Sequence, residues 1–305
     1  MKNKITISIG IPTYLAGEHL VSTLRSIYRQ TFYSRLKEIL LVVDGGYLDP
    51  KIVGKIGNKK LKIVPFTKRK GQSTRVNDIF AQVDSDLLIL ANDDVILDEK
   101  VVEKMVRMFI KDRCDLLCTK VEPLAPKTRL EKILKPSHYM KYEILNGLKN
   151  KHDSFLVSNG RLLGLSIRLY KGMKLSRQLW NGDAFIYLHA KLLNYKISFV
   201  DETLCYFRDP QKLEEYLSQS KKFRNSLSEN KNYFKGETFI RKYYEIPKSV
   251  LVRAYISTFK KHPIDFILYN ILYLCSYICL SFYDPERNVA SKRAYWEVDY
   301  STKQI

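Results

Sequence analysis

The chain has 305 residues, 45% of them hydrophobic, enough to bury a real core as one large domain or a domain with an appendage, so disorder is set aside as the default. The 52 Lys and Arg against 32 Asp and Glu leave a formal charge of +20, spread along the chain rather than gathered in a tail; it predicts attraction to polyanions without choosing between nucleotides, nucleic acid and an anionic membrane surface. Five cysteines, an odd number with no CxxC spacing, argue against a disulfide framework and suit small apolar residues in a reducing compartment.

The opening "MKNKITISIG" shows no hydrophobic signal core followed by a small-residue cleavage site, so the body is expected to stay in the cytoplasm. In "KITISIGIP", Ile5, Ile7, Ile9 and Ile11 alternate with small polar residues, which predicts a strand that Pro12 stops. From Glu18 onward Leu20, Leu24, Ile27, Tyr28 and Thr31 recur at three and four, a helix face. "EILLVVD" carries an unbroken apolar run over residues 39–43, the mark of a strand buried on both sides. The pattern continues with strand "LKIVPF", helix "STRVNDIFAQV", strand "DLLILAN", helix "DEKVVEKMVRMFIKD" and strand "CDLLCTKV". Such alternation predicts an α/β fold with a parallel sheet and helices on both faces. Ligands of such sheets sit beyond the carboxyl ends of the strands, where Pro12, Thr13 and Tyr14, then Asp44, Gly45 and Gly46, then Asn92, Asp93 and Asp94 fall on one rim.

Past Pro123 a longer helical stretch, "TRLEKILKPSHYMKYEILNGLKNK", is expected to break at Pro136. A glycine-punctuated strand region around "SFLVSNGRLLGLS" follows, then helix "NGDAFIYLHAKLLNYK" and strands "KISFV" and "TLCYF". From Pro210 the chain reads helical and basic. Near the end "FILYNILYLCSYICLSFY", residues 266–283, carries no charge and is flanked by Lys260, Lys261 and His262 before and Arg287 after. It sits at the lower limit for a spanning helix, which needs about 20 apolar residues. Its aromatic content favours lying in a membrane interface over crossing, with a buried core helix as the alternative.

Two adjacent acids at a strand end require an explanation. Unpaired in a low-dielectric cleft, their like charges drive one pKa upward; a hard divalent cation such as Mg²⁺ or Mn²⁺ relieves this and takes a substrate's phosphates in its remaining positions. A solvated turn, or Asp93 capping the next helix, stands equally. Gly71 and Arg75 open a helix after the basic run of Lys68, Arg69 and Lys70, suited to phosphate or simply a basic surface loop. Asp44 reads as a contact for a base or ribose or as a turn acid, and Asp183 as a helix cap or a catalytic base.

In order and spacing, "IPTYLAGEHLVSTLRSIYRQTF", "EILLVVDGG" and "KGQSTRVNDIFAQVDSDLLILANDDVILDEKVVEKMV" resemble the nucleotide-binding half of the family 2 glycosyltransferases of the GT-A fold, over residues 5–110 and more loosely over 155–225. The resemblance implies a Rossmann-like, mostly parallel sheet with helices on both faces, plus a helical carboxyl-terminal extension. Residues 1–122 are then the nucleotide-sugar half, 123–230 the acceptor and catalytic-base half of the same domain, and 231–305 a basic and apolar membrane-associating extension. By position, Pro12, Thr13 and Tyr14 line the nucleoside pocket, Asp44 contacts base or ribose, and Gly71 and Arg75 lie near the nucleotide. Asn92, Asp93 and Asp94 fall on the family's DxD motif, with Asp94 the prime metal ligand and Asp93 its neighbour. "GRLLGLS" resembles the stretch beneath the acceptor, and Asp183 the catalytic base.

Departures from the pattern matter. Asn92 replaces the first acid of DxD, so Asp93 and Asp94 are expected to share the ion. Gly182 replaces the glutamate before the base. Arg208 of "CYFRD" stands where some relatives place a metal-binding histidine and is expected to neutralise diphosphate. Gln219 and Lys222 of "QSKKF" are weak matches to the QxxRW signature of processive synthases, which also want several spanning helices.

The expectation is an inverting, metal-dependent glycosyltransferase acting on a glycan or lipid-linked acceptor at the cytoplasmic face of a membrane, peripherally or monotopically attached. The alternatives are a nucleotidyltransferase on a similar sheet and a non-enzymatic basic protein that binds nucleic acid or lipid headgroups. No recognised nucleic-acid module is present, so nucleic acid is not an expected partner.

Overall fold

The computed structural model describes residues 5–177, 179, 181–234, 236–281 and 300–305. Three residues used above as landmarks, Phe282, Tyr283 and Arg287, lie outside the described residues, as do residues 1–4.

One sheet organises the chain. Its strands are β1 (Ile7–Thr13), β2 (Leu36–Asp44), β3 (Leu61–Phe66), β4 (Leu87–Ala91), β5 (Val95–Leu97), β6 (Leu116–Pro123), β7 (Leu162–Ser166) and β8 (Ile197–Phe207), in the order β3-β2-β1-β4-β7-β6-β8-β5. The helices are α1 (Glu18–Tyr28), α2 (Pro50–Ile56), α3 (Gln72–Gln82), α4 (Val101–Asp112), α5 (Arg129–Gly147), α6 (Ile167–Lys171), α7 (Gly182–Leu192), α8 (Leu213–Tyr233), α9 (Glu237–Tyr244), α10 (Lys248–Lys261) and α11 (Pro263–Ser281).

The unbroken apolar runs sit where burial on both faces requires them. Ile39, Leu41 and Val43 of β2 point into a core shared with Leu20 and Leu24 of α1 and Met105 of α4. Leu40 and Val42 point the other way, against Val76 and Ile79 of α3. Full burial of each such side chain contributes about 1.5–3 kcal/mol, and the period of two distributes that gain to both sides of the sheet.

Strand direction then builds the rim. β1 runs parallel to β2 and to β4, so Thr13, Asp44 and Ala91 end on the same side. β7 is antiparallel to β4 with Leu162 opposite Ala91, which brings the residues just before Leu162 to that rim. β6 is antiparallel to β7 and parallel to β8, so Pro123 and Phe207 finish there too. The sheet is mixed and mostly parallel, with antiparallel pairing confined to β4–β7, β6–β7 and β5–β8.

Several elements differ from expectation. The helix through "LKPSHYM" does not break: α5 continues past Pro136, which is buried. Proline removes one backbone bond and costs about 3 kcal/mol in a helix interior. Two features offset that loss. A capping box fixes the start, Thr128 with Glu131, and α10 and α11 pack along the helix, so closely at its end that a Cβ on Gly147 would lie 2.8 Å from Val250 Cγ1. "KISFV" and "TLCYF" form one strand, β8, because register shifts opposite Lys120 absorb the irregularity between them. The short β5, hidden inside "DVILDEK", pairs with β8, and α2 starts where Asp49 accepts from Lys51 N and Pro50 supplies a helical φ. The helical carboxyl-terminal part is present as α8 to α11.

Candidate active site

A cavity of about 610 Å³ opens at the rim. It brings together Pro12, Thr13 and Tyr14, Asp44, Gly71 and Arg75, Asn92, Asp93 and Asp94, Asp183, and Gln219 and Lys222. Arg208 is the exception. Its guanidinium is buried outside the cavity lining, donating from Nη1 to Glu131 Oε1 at 2.9 Å and to the Ala125 carbonyl at 2.8 Å. It therefore neutralises the carboxylate that caps α5, which corrects the expectation that it meets a diphosphate.

On the donor side, Asp44 organises a loop. Its Oδ1 accepts from Lys70 N at 2.8 Å and from Arg75 Nε at 2.7 Å, and its Oδ2 accepts from Gly71 N at 2.8 Å. Arg75 is fully buried; it also donates to Asp78 Oδ2 and the Lys68 carbonyl and lies 3.9 Å over the Phe66 ring. Its guanidinium thus shapes the loop of residues 68–71 instead of standing ready for phosphate. Gly71 at φ 87 begins α3, and Gly45 at φ 84 lets the chain pass under Arg69, where a Cβ would meet that side chain at 3.1 Å; both positions favour glycine. Arg69 lies 3.9 Å over the Tyr14 ring, forming one wall of the cavity.

The acidic corner is asymmetric. Asp93 is buried, accepts the Thr13 hydroxyl on Oδ2 at 2.5 Å, and receives the Lys303 ammonium at 3.0 Å on Oδ1 and 2.9 Å on Oδ2. The neighbouring backbone is tied down as well, because Thr23 Oγ1 donates to the Asp93 carbonyl at 2.9 Å. Burial pushes the Asp93 carboxyl up, but Lys303, then His19 and Thr13, outweigh it and hold it at about 2. Asp94 faces the cavity. Burial first, and then the Asp93 charge, push its carboxyl up. Asn92 Oδ1 accepts from Gln72 Nε2 at 3.2 Å. A hard divalent cation fits this donor set through the carboxylate of Asp94, which stands beside Asp93 and lines the cavity. Sharing Asp93 with that cation requires displacing the lysine. Among the described residues, no cluster of three or more acidic, histidine or cysteine side chains stands ready to enclose an ion, so a metal here would take most of its ligands from substrate and water.

Across the cavity, Asp183 lies in the first turn of α7. Its Oδ2 accepts from Gly160 N at 2.7 Å and its Oδ1 from Ala184 N at 2.9 Å; the helix itself is capped by Asn181, which accepts from Ala184 N at 3.3 Å. Burial pushes the Asp183 carboxyl up, while those two N–H groups and the Lys141 charge pull it down. Lys141 of α5 lines the same cavity, and burial lowers its ammonium to about 8 although Asp183 pulls it upward. Arg161, 3.6 Å over the Phe207 ring, lies between the two acidic corners and lowers Asp94. His138 meets Asp209 at 2.9 and 3.0 Å beside the same ring.

Lys141, His138 and Lys303 escape sequence reasoning. The two residues of α5 look like any others on a basic amphipathic helix, and Lys303 sits in "STKQI", which carries no periodicity or motif. Arg161 does have a signal, its place before the antiparallel β7, which returns the chain to the rim.

Residues 8–177 match the profile of Glycosyl transferase family 2. Among solved structures the chain is similar to the mannosyltransferase PcManGT from Pyrobaculum calidifontis, in complex with GDP-Man and Mn²⁺, at 13% identity and a TM-score of 0.57 over 95% of this chain and 84% of that one. It is similar also to residues 1–349 of S. aureus TarS in complex with UDP-GlcNAc, at 16% identity and a TM-score of 0.53 over 73% of this chain and 66% of that one. A further structure of TarS 1–349 gives 17% identity and a TM-score of 0.50 over 73% of this chain and 65% of that one, so this chain spans less than two thirds of its length. No curated protein sequence matches. These likenesses define a GT-A fold. Because the family profile covers more than half of the chain, the protein belongs to glycosyl transferase family 2.

Proposed function

We propose that the protein is an inverting glycosyltransferase that moves a sugar from a nucleotide-diphosphate sugar to an acceptor hydroxyl, with Asp183 as the base. The observation that carries this is the pairing, in one cavity, of a half-buried carboxylate held by two backbone N–H groups with an acidic corner on the donor side. The Asp44 loop, Tyr14 and Arg69 form the nucleoside wall. The acceptor oxygen attacks the anomeric carbon from the Asp183 side while Asp183 takes its proton. The bond from that carbon to the diphosphate oxygen breaks, and its electron pair leaves on the nucleoside diphosphate. Asp94 would hold Mg²⁺ or Mn²⁺, which supplies charge neutralisation to the departing diphosphate. Burial raises the Asp183 carboxyl, and its two backbone hydrogen bonds and the Lys141 charge work against that rise, favouring the ionised form a base requires.

The same reading extends to a membrane. α11 is the one helix among the described residues long and apolar enough to cross a bilayer, and only 11% of its apolar window is buried. Ile264, Ile267, Ile271, Leu274 and Ile278 are exposed, as are Val252, Ile256 and Phe259 on α10. With Lys260 and Lys261 beside them, these side chains suit a helix pair lying on an anionic cytoplasmic leaflet, and a lipid-linked or cell-envelope glycan acceptor follows from that position. The test incubates the purified protein with a panel of nucleotide sugars, with and without Mn²⁺, and measures nucleoside diphosphate release. Turnover with at least one donor supports the reading, and release from none of them removes it. Flotation with anionic vesicles and stripping by carbonate separate interfacial attachment from spanning.

A further inference from the structure

We propose that Lys303 is a diphosphate-binding residue: a fixed cation at the acidic corner that contacts the donor's diphosphate beside Asp94, so that a divalent ion does not carry this neutralisation alone. The proposal rests on the transfer reading above and deepens it.

The placement is built from described residues. Tyr300–Lys303 forms a short 3₁₀ turn. Ser301 donates from its backbone N to Glu215 Oε1 at 3.0 Å and from its hydroxyl to Glu215 Oε2, and it accepts from Gln211 N at 2.9 Å. Ser301 and Thr302 are buried. The turn is thereby pinned to the start of α8 and to the residues before it, and Lys303 points inward. Its side chain is 16% exposed, and the ammonium lies 3.0 and 2.9 Å from the Asp93 oxygens and 3.1 Å from His19 Nε2. Thr302 and Lys303 line the same cavity as Tyr14, Asp44 and Asp94.

Charge decides what this lysine does. Asp93 and Asp94 together carry two negative charges, and a nucleoside diphosphate brings at least two more. One divalent ion at Asp94 leaves an excess that a buried corner tolerates poorly. The cations that the chain's motifs offer for phosphate are engaged elsewhere, Arg75 with Asp44 and Asp78, and Arg208 with Glu131. Among the described residues, Lys303 is the lysine or arginine hydrogen-bonded to the corner. Two of its three N–H groups suffice for Asp93, and the third, now near His19, is the one a diphosphate oxygen takes over. Asp93 in this arrangement positions the lysine and leaves the metal to Asp94.

The opposite assignment, a lysine that merely occupies the metal's place, predicts opposite signs. The test uses the full chain and its Lys303→Met and Lys303→Arg variants. Calorimetry measures UDP and GDP binding in EDTA and with Mn²⁺, and electron paramagnetic resonance measures Mn²⁺ binding alone. Lys303→Met is expected to weaken metal-free binding by about tenfold, the loss of one charge-assisted hydrogen bond, with Lys303→Arg recovering most of it. Glu215→Gln, which loosens the turn without touching the corner, is expected to weaken it less and in the same direction. Metal-free binding by Lys303→Met as tight as, or tighter than, the parent's overturns the proposal. If the parent binds neither nucleotide in either condition, the transfer reading falls and this proposal with it; if the parent binds and Lys303→Met binds equally, only this proposal falls.

Discussion

The cavity has two acidic corners, and they solve the same electrostatic problem in opposite ways. At the end of β4, Asp93 is matched by a full ammonium, a hydroxyl and a nearby imidazole, and its carboxyl sits at about 2. At the start of α7, Asp183 has two backbone N–H groups and a lysine at a distance, and burial keeps its carboxyl above the ordinary aspartate range. A carboxylate held low is a poor base, because it does not accept a proton at neutral pH. One whose pKa is raised by burial binds a proton more readily and is better suited to accept one transiently. Under the proposed reading the first corner anchors and the second takes the proton, and each half of that reading can be broken separately.

The largest effect is expected from Asp183→Asn. The amide preserves shape and cannot take a proton, so turnover is expected to fall by about 10²–10⁴-fold, the usual worth of a positioned base. Nucleoside diphosphate affinity, measured by calorimetry, stays at the parental value. Retained turnover would move the base elsewhere and dissolve the contrast. Next is the control, a third acid built as a closed pair. Glu131 and Arg208 are 3% and 5% exposed at their side chains, with no opening to the cavity. Arg208→Met leaves a buried carboxylate unpaired and is expected to cost about 3–5 kcal/mol of stability, read as a drop in the denaturant midpoint. Because Arg208 does not face the diphosphate, nucleotide affinity of the folded fraction does not change. A selective loss of nucleotide affinity would return Arg208 to the site.

The pair Arg208 and Glu131 also shows where the sequence stops being informative. The alternation of runs in the first 122 residues was legible because the central strands β1, β2 and β4 must bury both faces, and that requirement is local. It implies that Pro12, Asp44 and Asp94 share one rim, as they do. The partner of each charge is not local. Arg75 lies 31 residues from Asp44 in sequence, Arg208 lies 77 from Glu131, and Lys303 lies 210 from Asp93. Nothing in the spacing of charges says which cation folds back onto which acid, so arginines meant for phosphate proved to be internal ties. Pro136 misled for a related reason: propensity argues for a break, and the packing of α10 and α11 that offsets it is tertiary.

A smaller effect probes the cavity side of the first corner. Asp94→Asn removes the carboxylate that faces the cavity while leaving the Asp93–Lys303 pair intact. Under the transfer reading, kcat falls by about 10–100-fold and the Mn²⁺ concentration for half activity rises, a loss comparable to weakening one ligand's hold on a metal. If Asp94→Asn leaves both unchanged, the corner works without a metal at this residue, and the cation site belongs elsewhere.

The smallest expected effect sharpens the second corner. Lys141 is charged below about 8 and lost as a cation above it, because burial lowers its ammonium. Its charge lowers the Asp183 carboxyl, so Lys141→Met lets that carboxyl rise further. A base with a raised pKa is protonated, and therefore idle, over a wider acidic range. The acid limb of kcat/KM is expected to move to higher pH in Lys141→Met, with losses on the limb below about tenfold, the change that a whole-unit shift would give. Above about pH 8 the parent enzyme has itself discharged Lys141, so the two profiles converge there. A limb that moves to lower pH, or profiles that stay apart by a constant factor at every pH, would mean that Lys141 acts on substrate binding and not on the ionisation of Asp183.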